Sequence, residues 1–77
     1  MRDEIANALA AYERGDKDLA RNLVQPLADA GDVHAQTLLG SWCWLEWGLF
    51  DEAERFLLLA ADAGSGAAAH NLGVLYQ

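Results

Sequence analysis

Residues 28–40 read ADAGDVHAQTLLG, and 33 positions later residues 61–73 read ADAGSGAAAHNLG. Extended outward, residues 15–44 match 48–77 at ten of thirty positions: Gly15/Gly48, Asp18/Asp51, Ala20/Ala53, Ala28/Ala61, Asp29/Asp62, Ala30/Ala63, Gly31/Gly64, Ala35/Ala68, Leu39/Leu72 and Gly40/Gly73. The shared residues are glycines, small residues and helix caps, which set backbone geometry and allow close helix approach. None is a catalytic type in a catalytic setting. A period of this length signals stacked helical hairpins, each burying its apolar face on the next. The expectation is therefore a binding surface before an active site.

Seventy-seven residues make one domain, 1–77. A single core of this size is marginal unless its helices pack well or a partner covers one end. Ala and Leu, strong helix formers, are abundant, while Val, Ile and Thr are too few for a sheet. The fold expected is all-α. Cys43 is the one cysteine, so no internal disulfide forms. Met1-Arg2 runs straight into Asp3-Glu4 without a secretory pattern, and no apolar run nears the ~20 residues of a membrane span. The chain reads as cytoplasmic, with no membrane partner.

The net charge of −7 is unevenly placed. Residues 1–21 hold five acids and four bases; residues 22–77 hold seven acids (Asp29, Asp32, Glu46, Asp51, Glu52, Glu54, Asp62) and one base, Arg55. Such a chain is repelled by DNA, RNA and anionic lipid, and a basic protein partner is favoured. The simpler reading gives the charge to solubility alone.

Punctuation places five helices. The first runs from about Glu4 to Arg14 with Asp3 as its cap. Asp18 caps the second, about 19–30, which Pro26 is expected to kink or shorten. Gly31 stops it, and Asp32 caps a third helix over 33–47 that ends at Gly48. Asp51-Glu52-Ala53-Glu54 reads as a capping-box variant opening helix four, which ends at Gly64. Ser65 caps the last helix, which runs to the end of the chain. Short connections make neighbours antiparallel. The grouping expected is a hairpin over 4–30, a hairpin over 33–63 and a lone helix over 66–77.

Ala35-Gln36-Thr37-Leu38-Leu39-Gly40, followed by an Ala-rich helix ending Ala60-Ala61-Asp62-Ala63-Gly64, resembles tetratricopeptide-like repeats, and the Sel-one-like branch most closely. Ala68, Leu72, Gly73 and Tyr76 fit that branch in the last repeat. Ala35, Leu39 and Gly40 fit in the middle one, with Cys43 in the aromatic's place. The first repeat is degenerate, with Ala6-Asn7 for Leu-Gly. The Sel-one-like loop with its extra Gly-Val is missing, as is the Thr-Pro-Leu-His of ankyrin. The resemblance covers about 75 residues and implies about two and a half repeats in a short right-handed solenoid. Gly40 and Gly73 each cost their helix ~1 kcal/mol relative to Ala, a cost explained if another helix crosses there.

The resemblance also implies a concave groove lined by the first helix of each repeat. Carried onto this chain it takes Glu4, Ala8, Ala11 and Tyr12, then His34, Thr37, Ser41, Trp44 and Leu45, then Ala67, His70, Val74 and Gln77. Spacing alone supports the middle set, since 34, 37, 41 and 44 fall on one stripe. Trp42 belongs to the core. Trp44 is read as an exposed aromatic anchor; the alternative packs Trp44 or Trp47 on Pro26 or the first helix. His34 and His70 lack a third ligand, so no metal is expected. Cys43 reads as an inert buried thiol. No Cys-His pair, Ser-His-Asp set, phosphate loop or metal motif is present, so neither enzyme activity nor a cofactor is expected.

The acids gather at the turns, Asp16, Asp18, Asp51, Glu52 and Glu54 on one edge and Asp29, Asp32 and Asp62 on the other. They serve as caps, and they also form a rigid carboxylate array with spacing like that of phosphates. Two functions are expected of such a chain. One is a small acidic stand-alone inhibitor on a basic, nucleic-acid-binding surface of a partner, a profile of size and charge shared with DNA-mimic and anti-CRISPR proteins. The other is an adaptor holding a peptide or helix in the groove. The last helix, with no following hairpin, is expected to turn Leu72 and Tyr76 inward and to leave Val74 and Leu75 as a small patch for weak self-association or a partner.

Overall fold

The computed structural model describes residues 3–77. Five α-helices follow one another: α1 Asp3–Glu13, α2 Lys17–Asp29, α3 Val33–Trp47, α4 Phe50–Asp62 and α5 Gly66–Leu75, with no strand among the described residues. Each helix packs on the next, and α3 also touches α5. The expected cap at Asp3 needs a side-chain placement outside what is described.

The 33-residue step is visible in the backbone itself. Helices α2 and α4 are both thirteen residues long and start 33 apart, at Lys17 and Phe50. Helices α3 and α5 also start 33 apart. Gly31 and Gly64 take left-handed φ values of 96° and 101°, a conformation glycine adopts without the steric cost of a Cβ. Immediately after each, Asp32 and Ser65 accept the amide of the residue three further on, Ala35 at 3.0 Å and Ala68 at 3.0 Å. Stop and cap thus work as one unit, used twice.

Two expected caps are displaced. Helix α2 begins at Lys17, capped by Asp16, whose Oδ1 accepts from the Leu19 amide at 3.3 Å; Asp18 lies inside the first turn. Helix α4 begins at Phe50 after Leu49, which offers no side-chain cap, so Asp51 and Glu52 lie in its first turn and no capping box forms. The reason is the tightness of the link. Gly48 is left-handed (φ 65°), the Leu49 amide bonds back to the Cys43 carbonyl at 2.9 Å, and the Leu49 carbonyl already receives the Ala53 amide. The displaced acids still favour helix starts, through the positive end of the dipole. Pro26 does not shorten α2, which runs through it to Asp29; the Asn22 carbonyl that lost its donor belongs to an exposed residue. Helix α5 stops at Leu75 rather than at the end of the chain.

The core is built largely on alanine. Ala8, Ala11, Ala20, Ala35, Ala53, Ala60 and Ala68 are wholly buried, and the space between close helices is filled by Val24, Leu39, Leu57, Cys43, Trp42 and Phe56. Gly40 belongs to the same close approach: a Cβ built there meets Leu57 Cγ at 2.8 Å and the Ala53 carbonyl oxygen at 3.3 Å. Gly73 does not. Nothing lies within 4 Å of its Cβ position, so no described helix crosses α5 there. Gln36, buried, donates its Nε2 to the Ala28 carbonyl at 3.2 Å and so satisfies an acceptor at the end of α2.

Candidate protein interface

The expected groove stripe on α3 is largely engaged inside the molecule. Thr37 Oγ1 donates to the Val33 carbonyl at 2.9 Å and lies 3.1 Å from Ser65 Oγ. With its own proton committed to Val33, Thr37 receives the proton of Ser65. Ser41 Oγ donates to the Thr37 carbonyl at 2.9 Å and accepts Asn71 Nδ2 at 2.6 Å. These bonds form a satisfied polar seam between α3 and α5, and Thr37 is buried within it.

Tyr12 is equally committed. Its ring stacks on Trp42, centroids 4.6 Å apart and 8° from parallel. Its hydroxyl donates to Glu46 Oε2, and Lys17 Nζ stands 3.5 Å from the other oxygen of that carboxylate and 5.3 Å from the Tyr12 ring centre. The hydrogen bond to Glu46 first, then burial and the negative charge, push the Tyr12 phenol up to about 12. Tyr12, Lys17 and Glu46 thereby join α1, α2 and α3.

Trp44 is not the exposed anchor its stripe suggested. It is half-buried and packs against both parts of the core, the one around Leu39 and the one formed by Leu57, Ala60, Ala68 and Leu72. Its Nε1 is buried without an acceptor. Trp47 also packs on the core, with the Arg21 guanidinium 5.2 Å above its ring. Pro26 stays exposed. Trp42 is core, as expected, and so is Cys43, whose thiol burial pushes above its ordinary range.

Of the other groove positions, Ala8 and Ala11 are wholly buried, while Glu4, His34, Leu45, Ala67, His70, Val74 and Gln77 are exposed. His34, Thr37, Ser65 and Ala67 border an open hollow where α3 meets the α4–α5 turn. At the end of the chain the inward pair differs from expectation. Leu72 is buried, but Tyr76 is 61% exposed and Leu75 is half-buried against the core, so the patch holds Val74 and Tyr76. The polar hydroxyl of Tyr76 finds a partner at the surface, donating to Glu54 Oε2 at 2.7 Å.

The acidic positions divide by engagement. Glu52 receives Arg21 at 3.2 Å, and Glu54 receives Tyr76. Asp29 is exposed and accepts Gln25 Nε2 at 3.1 Å, while Asp32 caps α3. Asp51 and Asp62 are exposed. Arg55, the one base beyond residue 21, lies over the Phe56 ring at 4.8 Å. No three His, Cys, Asp or Glu side chains gather in a metal-holding group among the described residues, and no described helix is long and apolar enough to cross a membrane.

The engaged pairs Tyr12–Glu46, Arg21–Glu52, Ser41–Asn71 and Thr37–Ser65 were not singled out from the sequence. They are separated by 34, 31, 30 and 28 residues, close to the repeat step. A search for complementary polar residues about one period apart is the signal that would have found them. Comparisons with protein-family models, with curated proteins and with solved structures yield no match to this chain.

Proposed function

We propose that this chain is a non-catalytic protein–protein interaction protein, a short right-handed helical-repeat solenoid of tetratricopeptide-like kind. Its acidic surface binds a basic, nucleic-acid-binding surface of a partner, so it acts as a DNA-mimic inhibitor of the anti-CRISPR type. The observation that carries the reading is the one-sided charge beyond residue 21, seven acids against Arg55, with Asp29, Asp51 and Asp62 exposed. It is strengthened by the inward engagement of Tyr12, Thr37, Ser41 and Trp44, which removes most of the groove's specific contacts. Asp29 and Asp62, the last residues of α2 and α4, and Asp51, in the first turn of α4, stand on helical backbone, so they oppose a basic patch with little backbone ordering cost.

The test is displacement of a labelled DNA duplex from basic DNA-binding proteins by this chain across a salt series. Displacement that fades steeply with salt supports the reading. Asp29, Asp32 and Asp62 to Asn, compared with Asp51→Asn, Glu52→Gln and Glu54→Gln, identifies the edge used; Asn at position 32 keeps the cap. Failure to displace DNA from any of them, or binding indifferent to salt and to both sets, refutes it. A second reading, an adaptor groove, is favoured by the groove positions that stay exposed, His34, Leu45, His70 and Val74, and predicts salt-insensitive peptide binding.

A further inference from the structure

Twice in this chain a base stands on an aromatic ring and against a carboxylate at once. Lys17 Nζ lies 5.3 Å from the Tyr12 ring centre and 3.5 Å from Glu46 Oε1, while Glu46 Oε2 takes the Tyr12 hydroxyl. The Arg21 guanidinium lies 5.2 Å over the Trp47 ring and 3.2 Å from Glu52 Oε2. A third ring and carboxylate are set in the same way without a base. The Tyr76 hydroxyl donates to Glu54 Oε2 at 2.7 Å. As in the Tyr12–Glu46 pair, one carboxylate oxygen takes the phenol and the other remains for a cation. Glu54 and Tyr76 border an open hollow of about 210 Å³ together with Phe50, Asp51 and Leu75. Phe50 and Tyr76 are both well exposed, so ring area faces solvent. Positions 50, 51 and 54 share one face of α4, which sets a second carboxylate, Asp51, beside the first. Among the described residues no base reaches either acid; Arg55 lies over Phe56 instead.

We infer that the hollow between the start of α4 and the end of α5 is a clamp for one arginine side chain of a protein partner. Its volume lies below the ~300 Å³ at which small-molecule pockets begin, so it suits a single side chain. A guanidinium is flat. It lies on the face of Phe50 or Tyr76 while its N–H groups, directed outward in its plane, reach the open oxygen of Glu54 and the Asp51 carboxylate. The ammonium of lysine has no flat face and fewer donors for two acids, so arginine is preferred. Leu75 gives the aliphatic stem an apolar contact. The bond from Tyr76 to Glu54 is part of this site, holding the carboxylate in place as the Tyr12 hydroxyl holds Glu46 beside Lys17. That the partner is a basic protein rests on the acidic-surface reading above; the clamp for the arginine side chain does not.

The probe is N-acetyl-arginine amide, titrated into the isotopically labelled full chain and followed by NMR. Saturable shifts of millimolar affinity are expected, centred on Phe50, Asp51, Glu54 and Tyr76. The uncharged isostere N-acetyl-citrulline amide is expected to bind at least ~10-fold more weakly. Phe50→Ala, at an exposed position, should weaken binding ~2–5-fold. Asp51→Asn with Glu54→Gln should weaken it at least ~5-fold, the amide at position 54 still accepting from Tyr76. Asp29→Asn with Asp62→Asn removes the same charge and should leave binding unchanged. The amide spectrum of each variant checks that the fold is intact. Equal loss from both double variants means diffuse attraction and overturns the clamp. So do shifts centred elsewhere, binding that Phe50→Ala leaves untouched, or N-acetyl-lysine amide binding as tightly as the arginine amide. DNA displacement that persists while the arginine amide fails to bind sinks the clamp alone. Arginine amide bound as described, with no DNA displaced, upholds the clamp and sinks the inhibitor reading.

Discussion

Gly40 and Gly73 occupy the same repeat position in opposite surroundings, so replacing each by alanine separates packing from helix propensity. Either change gains intrinsic helix stability, ~1 kcal/mol in a helix interior and ~0.5 kcal/mol near the frayed end of α5. At Gly73 nothing opposes the gain. At Gly40 the new methyl meets Leu57 Cγ at 2.8 Å and Cδ2 at 2.9 Å, with the Ala53 carbonyl oxygen at 3.3 Å. Leu57 is wholly buried, and Cγ is its branch point rather than a free tip, so either Leu57 leaves its rotamer or α3 and α4 move apart. Overpacking of this kind costs ~1–3 kcal/mol. Gly40→Ala is thus expected to lose ~1 kcal/mol net while Gly73→Ala gains ~0.5 kcal/mol. In a domain of this size that difference is ~6–12 °C in melting midpoint. Thermal melts followed by circular dichroism read it directly. The Gly40→Ala, Leu57→Ala double variant should be less destabilised than the two single changes sum to, because the smaller residue 57 makes room. If Gly40→Ala stabilises the protein as much as Gly73→Ala, the close crossing of α3 and α4 is wrong.

Cys43 is wholly buried with its pKa raised by that burial, so a thiol reagent at about pH 8 should label it far more slowly in the native protein than in denaturant; equal rates refute the placement. The Tyr12 phenol, pushed up to about 12 from 10.0 chiefly by its bond to Glu46, contributes stability that is present below pH 10 and lost as pH rises toward 12. Denaturant midpoints across that window should fall more for wild type than for Tyr12→Phe, which keeps the Trp42 stack. Trp44→Phe removes an indole N–H that has no acceptor and is expected to remain within ~1 kcal/mol of wild type by chemical denaturation. Trp42→Phe, at the stack with Tyr12, is expected to cost ~1–3 kcal/mol in the same assay.

The helix stops and two of the caps were legible because they are local. A glycine that must take positive φ, followed by Asp32 or Ser65, carries its instruction within a few residues. Asp18 and Asp51 misled because an acid in the first helical turn and an acid at the cap are both stabilised by the same helix end. Trp44 misled for a different reason. A stripe defined by 3.6-residue spacing fixes the face of α3, but how deep each position lies depends on where α4 and α5 cross. Gly73 shows the same limit, since its match to Gly40 carried the backbone but not the neighbour. The uneven charge was legible because composition alone states it, and the groove was poorly legible because Tyr12, Thr37 and Ser41 found partners in other helices.

The polar seam between α3 and α5 also sets how the chain comes apart. Helix α5 has ten residues and buries only Ala68 and Leu72, which pack with Leu57 and Ala60 of α4 and with Trp44 of α3, while Thr37–Ser65 and Ser41–Asn71 add polar bonds to α3. Water can replace hydroxyl and amide partners at little net loss, whereas it cannot replace the buried Leu39, Trp42 and Phe56 behind them. A ten-residue helix does not hold its shape once undocked. The final helix is therefore expected to open ahead of the rest, with its amides exchanging with solvent before those of α3.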